Sequence, residues 1–216
     1  GCGETLSADF AHEYKWDLMR DVYEGPVDSS DVGLLEAGRL MRDCGVAVEM
    51  RYGLEASAAR SVNQAIALTT WFGYDQGMQL YYRDFFSRAE WESMLAQELS
   101  AGRPVLFAAQ SASLSHALVC DGYDEDGLFH MNFGLGGDAD GFYYLPHLTP
   151  KQPNWYDPES AERGLNLLQS MIVGVRPAEP LPLVKHSLGM AFIEPVCAKS
   201  SRSGEVSVAT SHLANL

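Results

Sequence analysis

The sequence has no run approaching the roughly 20 consecutive apolar residues of a membrane-spanning helix, and no basic stretch leading into an apolar one at its N-terminus. Membrane insertion is therefore not expected, and the chain carries no readable address. Positive charge is also scarce: 15 Lys and Arg stand against 29 Asp and Glu, a net charge of -14. Such a field repels phosphate backbones and anionic lipid surfaces, so no nucleic-acid partner is expected, whereas a protein or peptide partner is easily accommodated. The four cysteines, Cys2, Cys44, Cys120 and Cys197, form no CxxC pair, and the six histidines form no HExxH. The expectation is no metal and no cofactor. Asp121, Asp124, Glu125 and Asp126 lack the spaced ligands of a calcium loop and read as a solvated turn.

What the chain does have is apolar content, 46% hydrophobic and 11% aromatic, which is enough for a substantial core. Val32, Leu34, Leu35, Leu40 and Met41 recur at helical intervals, predicting a helix over 31–44 that Gly45 would stop, with Cys44 in the core. Val46, Val48 and Met50 then alternate as in a strand. A small-residue loop from Gly53 to Ala59 leads to a second helix, Val62 to Thr70. Ser87 and Glu90 form a capping box for a third, whose buried stripe is Trp91, Met94, Leu95 and Leu99.

Beyond Gly102 the pattern becomes short β-rich runs: Val105–Ala108, His116–Tyr123, Leu128–Phe133, Phe142–Leu145 and Met171–Val175. The fold class is thus α+β, a helical part followed by an antiparallel sheet or barrel. Pro177, Pro180 and Pro182 mark a linker. Residues 1–177 are expected to form the main domain, and 178–216 an extension or the start of an accessory domain.

The most informative passage is the hairpin from Ser115 to Gly137, turning at Asp124–Gly127. Symmetric pairing about that turn puts His116 and Leu118 on one face with Phe133 and Leu135. Asn132 falls on the other face, and would reach the histidine only if the strand end re-aimed it. On residue type alone His116 is either a hydrogen-bonded structural histidine or a catalytic one. Asn132 is either a turn residue ahead of Gly134 or a partner of the imidazole. Gly134-Leu135-Gly136-Gly137 has neither the lysine nor the following helix of a phosphate loop.

A histidine opening a strand, an Asp-Gly turn and then His-x-Asn-aromatic-Gly-x-Gly-Gly resemble the streptopain family of papain-like bacterial cysteine peptidases. Cys44 to Gly53, Phe72-Gly73-Tyr74, the Trp91 helix, Arg103-Pro104-Val105 and Gln169 to Pro177 follow in the same order, so the likeness spans roughly residues 5–177. It implies a papain-like fold with a substrate cleft between a helical and a β half, acting on protein or peptide substrates. It also implies a secreted enzyme made as a zymogen, with its own propeptide as a possible partner. His116 matches the catalytic histidine, which takes a thiol proton and returns it to the leaving amine; an ordinary pKa of about 6.5 suits both steps. Asn132 and Phe133 match the residues that orient and shield it, and Ser57 and Ser115 match positions whose backbone holds the substrate.

The sequence also departs from the family. Phe133 stands where tryptophan is usual, Leu135 replaces another tryptophan and Ser115 replaces a glycine. No segment matches the family's Gly-Cys helix opening, and Cys2 lies out of register with it. The expectation is therefore a chain inactive by itself; the alternative is a non-catalytic relative that binds peptides or proteins in its cleft.

Overall fold

A computed structural model describes residues 6–23, 25–26, 28–54, 56–112, 114–150, 164–179 and 191–193. In chain order its elements are β1 (Leu6–Ala8), α1 (Val32–Ala47), α2 (Ser61–Trp71), β2 (Gln79–Tyr82), α3 (Arg88–Ser100), β3 (Val105–Gln110), β4 (Ser115–Tyr123), β5 (Phe129–Asn132), β6 (Gly141–Tyr143), β7 (Leu167–Val173) and β8 (Ala191–Ile193). They fall into two units, Gly1–Ala67 with Val184–Leu216 and Leu68–Leu183.

In the first unit β1 pairs antiparallel with β8. Asp31 caps α1, its side chain accepting from the amides of Gly33 and Leu34. The helix runs a turn beyond the expected end, and Val46 lies inside it rather than in a strand. It stops in a Schellman motif, with Glu49 at φ 56, Met50 N donating to Gly45 O and Glu49 N donating to Val46 O. Gly45 lies inside the helix, where a Cβ would run into the Tyr52 hydroxyl. The glycine makes room for a close approach, and the sequence pattern mistook it for a stop.

Three of the apolar residues whose spacing marked α1 lie off its buried face. Val32, Leu35 and Met41 are 61%, 56% and 74% exposed, while Glu36 and Asp43 are buried. Asp43 can be buried because its charge is paired: it accepts from Tyr14 Oη at 3.0 Å and from Arg42 Nε and Nη2 at 2.9 and 2.7 Å, with His12 Nε2 at 3.4 Å. Cys44, expected in the core, is exposed.

The second unit is an antiparallel sheet of order β2-β7-β3-β4-β5-β6 with α3 packed on it. The expected capping box is present at Ser87 and Glu90. Trp91 and Leu95 of α3 meet Val105, Phe107, Leu118, Cys120, Met131, Phe133 and Met171 in one core, with Met94 and Leu99 packed against it. The alternation that marked β3 and β4 is therefore the inward face of the sheet. The strand β2, which the sequence pattern passed over, pairs with β7, Leu80 opposite Ile172.

The hairpin of β4 and β5 has Val119 opposite Asn132 and Cys120 opposite Met131, the symmetric register, then slips so that Gly122 faces His130. Asp121 is the extra residue, a bulge that absorbs the slip on the turn side.

Candidate active site

His116 is the second residue of β4 and lies opposite Ala109 of β3. Its side chain points to the same face as Leu118 and Cys120, both buried, but it stands where that face leaves the core and is half-buried. The imidazole stacks on Phe133, with ring centroids 5.8 Å apart and planes 18° from parallel. Its Nε2 lies 3.0 Å from the Phe133 carbonyl oxygen. A carbonyl has no proton to give, so the neutral imidazole making this bond carries its hydrogen on Nε2 and its lone pair on Nδ1.

Phe133 follows the last residue of β5 and is only 2% exposed. It meets Tyr143 edge-on at 5.7 Å, and its amide donates to Asp140 Oδ1 at 2.7 Å. Asn132, on the opposite face, turns its Oδ1 to the Gly134 amide at 2.8 Å. That bond forms a turn in which Gly134 takes φ 70, a conformation glycine adopts without strain. The structure thus gathers His116, Asn132 and Phe133 at one end of the sheet. Ser115 is exposed beside them, opposite Gln110. Ser57 is exposed in the other unit.

Residues 1–143 match the model of the peptidase C10 family. The chain belongs to that family. It is 34% identical over 172 residues to streptopain of Streptococcus pyogenes, covering 80% of this chain and 42% of streptopain. It is 31% identical over 178 residues to the thiol protease/hemagglutinin PrtT of Porphyromonas gingivalis, covering 82% of this chain and 20% of that protein. Active wild-type interpain A, a cysteine protease of Prevotella intermedia, superposes with a TM-score of 0.68 at 31% identity, covering 80% of this chain and 69% of that one. The peptidase C10 chain thus spans about two fifths of the length of the streptopains, and its fold is the papain-like α+β fold.

A cysteine peptidase needs a thiolate, and both described cysteines are biased against one. Burial, then the neighbouring Asp121 carboxylate, pushes the Cys120 thiol up to about 12. Cys120 shares the face of His116 but lies four residues along the strand, about 13 Å away at the usual strand rise. Cys44 is exposed as a residue, yet its thiol is also raised, first by desolvation and then by Asp43. Cys2 and Cys197 lie outside the described residues. Among the described residues no helix is long and apolar enough to cross a membrane, and no three His, Cys, Asp or Glu side chains gather as a metal site.

Sequence reasoning missed Asp140. Its one signal was an acidic residue closing the glycine-rich stretch just ahead of β6, where a short side chain can turn back to accept a backbone amide.

Proposed function

We propose that the intact protein is a cysteine endopeptidase of the streptopain type in which His116 is the acid-base partner of a cysteine thiol. The observation carrying this reading is the Nε2 bond to the Phe133 carbonyl together with the ring stack, which leaves Nδ1 as the basic atom. Nδ1 takes the thiol proton, and the thiolate attacks the peptide carbonyl. The protonated imidazole then gives that proton to the departing amine. Water releases the acyl group from sulfur in a second, reverse use of the same base. Phe133 shields one face of the ring, Asn132 shapes the turn that presents the carbonyl, and the backbone at Ser115 holds an extended substrate. Secretion and zymogen synthesis belong to the same reading, and a solved fragment of prointerpain A, at 32% identity and a TM-score of 0.64, supports the zymogen part.

The thiol in this reading comes from neither Cys44 nor Cys120, both of which are raised. It comes from a helix-opening cysteine in a longer polypeptide, and the 216-residue chain alone does not turn over. The same raised thiols favour the second reading, a relative that binds peptides without cutting them. A peptidase assay and a thiol-reactive peptide inhibitor, applied to this chain and to one extended upstream, each with and without His116→Ala, separate the two. The first reading expects activity and labelling only in the extended chain, with turnover abolished by His116→Ala. An extended chain with the helix-opening cysteine, freed of any propeptide and still inactive, favours binding. His116-dependent turnover by the 216-residue chain points instead to Cys2.

A further inference from the structure

We infer that Asp140 is a positioning residue for His116, acting through the backbone of Phe133 rather than by contact with the ring. The paired register of β5 ends at Asn132, so no ladder bond directs the next two peptide groups. Two side chains do so instead. Asp140 Oδ1 accepts from the Phe133 amide at 2.7 Å and fixes the peptide entering Phe133. Asn132 Oδ1 accepts from the Gly134 amide at 2.8 Å and fixes the peptide leaving it. The Gly134 N–H and the Phe133 carbonyl belong to that second, planar group, so fixing its N–H aims its oxygen.

That oxygen faces His116 Nε2 at 3.0 Å. A peptide whose N–H donates to an acceptor is polarised, which strengthens its carbonyl as an acceptor. The imidazole is therefore held by a carbonyl that cannot swing away without breaking the Asn132 bond, while the Asp140 bond fixes the peptide group on the other side of the Phe133 Cα. Asp140 is itself seated by its own loop: its amide donates to Gly137 O at 3.2 Å, and Tyr143 Oη donates to Ala139 O at 2.5 Å. A carboxylate seven residues after Phe133 thus sets where the imidazole nitrogen points.

The catalytic meaning of this arrangement rests on the peptidase reading; its geometry does not, and the test reads the ring directly. Imidazole proton-nitrogen NMR on the 216-residue chain gives the solvent-exchange rate of the His116 Nε2 hydrogen without any need for a thiol. Asp140→Ala is expected to speed that exchange by about tenfold or more, the loss of one charge-assisted hydrogen bond's worth of order. Asp140→Asn, which keeps an oxygen acceptor, is expected to stay within about threefold of the native rate. In the unaltered chain the Phe133 amide is expected to exchange as slowly as the Met131 amide inside β5, though it lies past the strand end. That measurement stands even where Asp140→Ala does not fold. A native-like Nε2 rate in folded Asp140→Ala, equal damage from Asn and Ala, or a Phe133 amide exchanging at the unprotected rate would each overturn the assignment. A peptidase assay that fails in every form of the protein leaves these rates unaffected, so the two ideas fail separately.

Discussion

Replacing Phe133 by alanine should cost both stability and the wall against which the imidazole rests, and the two losses can be told apart. Phe133 is 2% exposed within the core that also holds Trp91, Phe107 and Met171. Truncating a buried phenylalanine to alanine removes about 3–5 kcal/mol, transfer and cavity terms together. The edge contact with Tyr143 and the stack on His116 fall within the upper part of that range, because aromatic pairs add about 0.5–1.5 kcal/mol each. For a chain of this size about 4 kcal/mol corresponds to a fall in Tm of roughly 8–16 °C.

Phe133→Leu keeps most of the volume and should lose only about 1–3 kcal/mol, from shape and the missing ring contacts. In both variants the bond to His116 involves the backbone carbonyl, so the Nε2 hydrogen should stay protected where the protein is folded. Thermal and urea unfolding of the three proteins, read together with the imidazole spectrum, checks each part. A Phe133→Ala loss below about 1 kcal/mol would show that the site can collapse onto the gap, or that the ring is not a core member. Equal losses from Ala and Leu would refute the cavity argument.

Glu98 joins α3 to the end of β7: it accepts from Arg103 Nε and Nη2 at 2.8 Å each and from the Gly174 amide at 2.9 Å. The Arg103 bond, helped by the Gly174 amide, holds its carboxyl below the usual range. A depressed carboxyl stabilises the fold above its unfolded pKa of about 4.3 and loses that contribution as pH falls through its folded value. Glu98→Gln should therefore cost about 1.5–3 kcal/mol at pH 7, and the gap to the unaltered protein should close below about pH 4; a gap unchanged down to pH 3 would sink the ion-pair explanation. For the thiols, iodoacetamide at pH 8 should modify exposed Cys44 in the native protein but reach Cys120 only after denaturation, which peptide mass mapping would read. Native labelling of Cys120 at a comparable rate would show that the strand face opens.

How much of this was legible in the sequence depended on whether one residue reported one cause. Period-two alternation read β3 and β4 correctly because a sheet with one buried face leaves little room for any other pattern. Ser87 and Glu90 read α3 because a capping box is a local exchange of hydrogen bonds. The helical period found α1, one residue off at its start and three at its end, but not its buried face, which is held by ion pairs and small residues: Val32, Leu35 and Met41 lie outward, while the inward side carries Asp43 with its Tyr14 and Arg42 partners. Those partners are set by tertiary contact across 29 residues in the case of Tyr14, which a helical period does not encode. Likewise, the hairpin register predicted that His116 and Phe133 share a face, but which atoms meet was decided beyond the strand end, by Asp140 and the Asn132 turn.

The bulge at Asp121 explains why that register could be right at the site and wrong near the turn. A one-residue slip carried along the whole hairpin would have turned Phe133 to the solvent face and put Asn132 beneath the imidazole. Instead the slip is confined between Cys120 and Gly122, and the outward Asp121 side chain binds His130 Nδ1 at 2.6 Å. From Cys120 back to Ser115 the strand keeps phase with β3 without interruption. Along that stretch burial fades in steps of two: Cys120 is fully buried, Leu118 nearly so, and His116 half so. An imidazole one step deeper, at the position of buried Leu118, would have lost the hydration its charged form needs. His116 therefore stands where the inward face of β4 runs out, half-buried, with the Phe133 ring stacked against it.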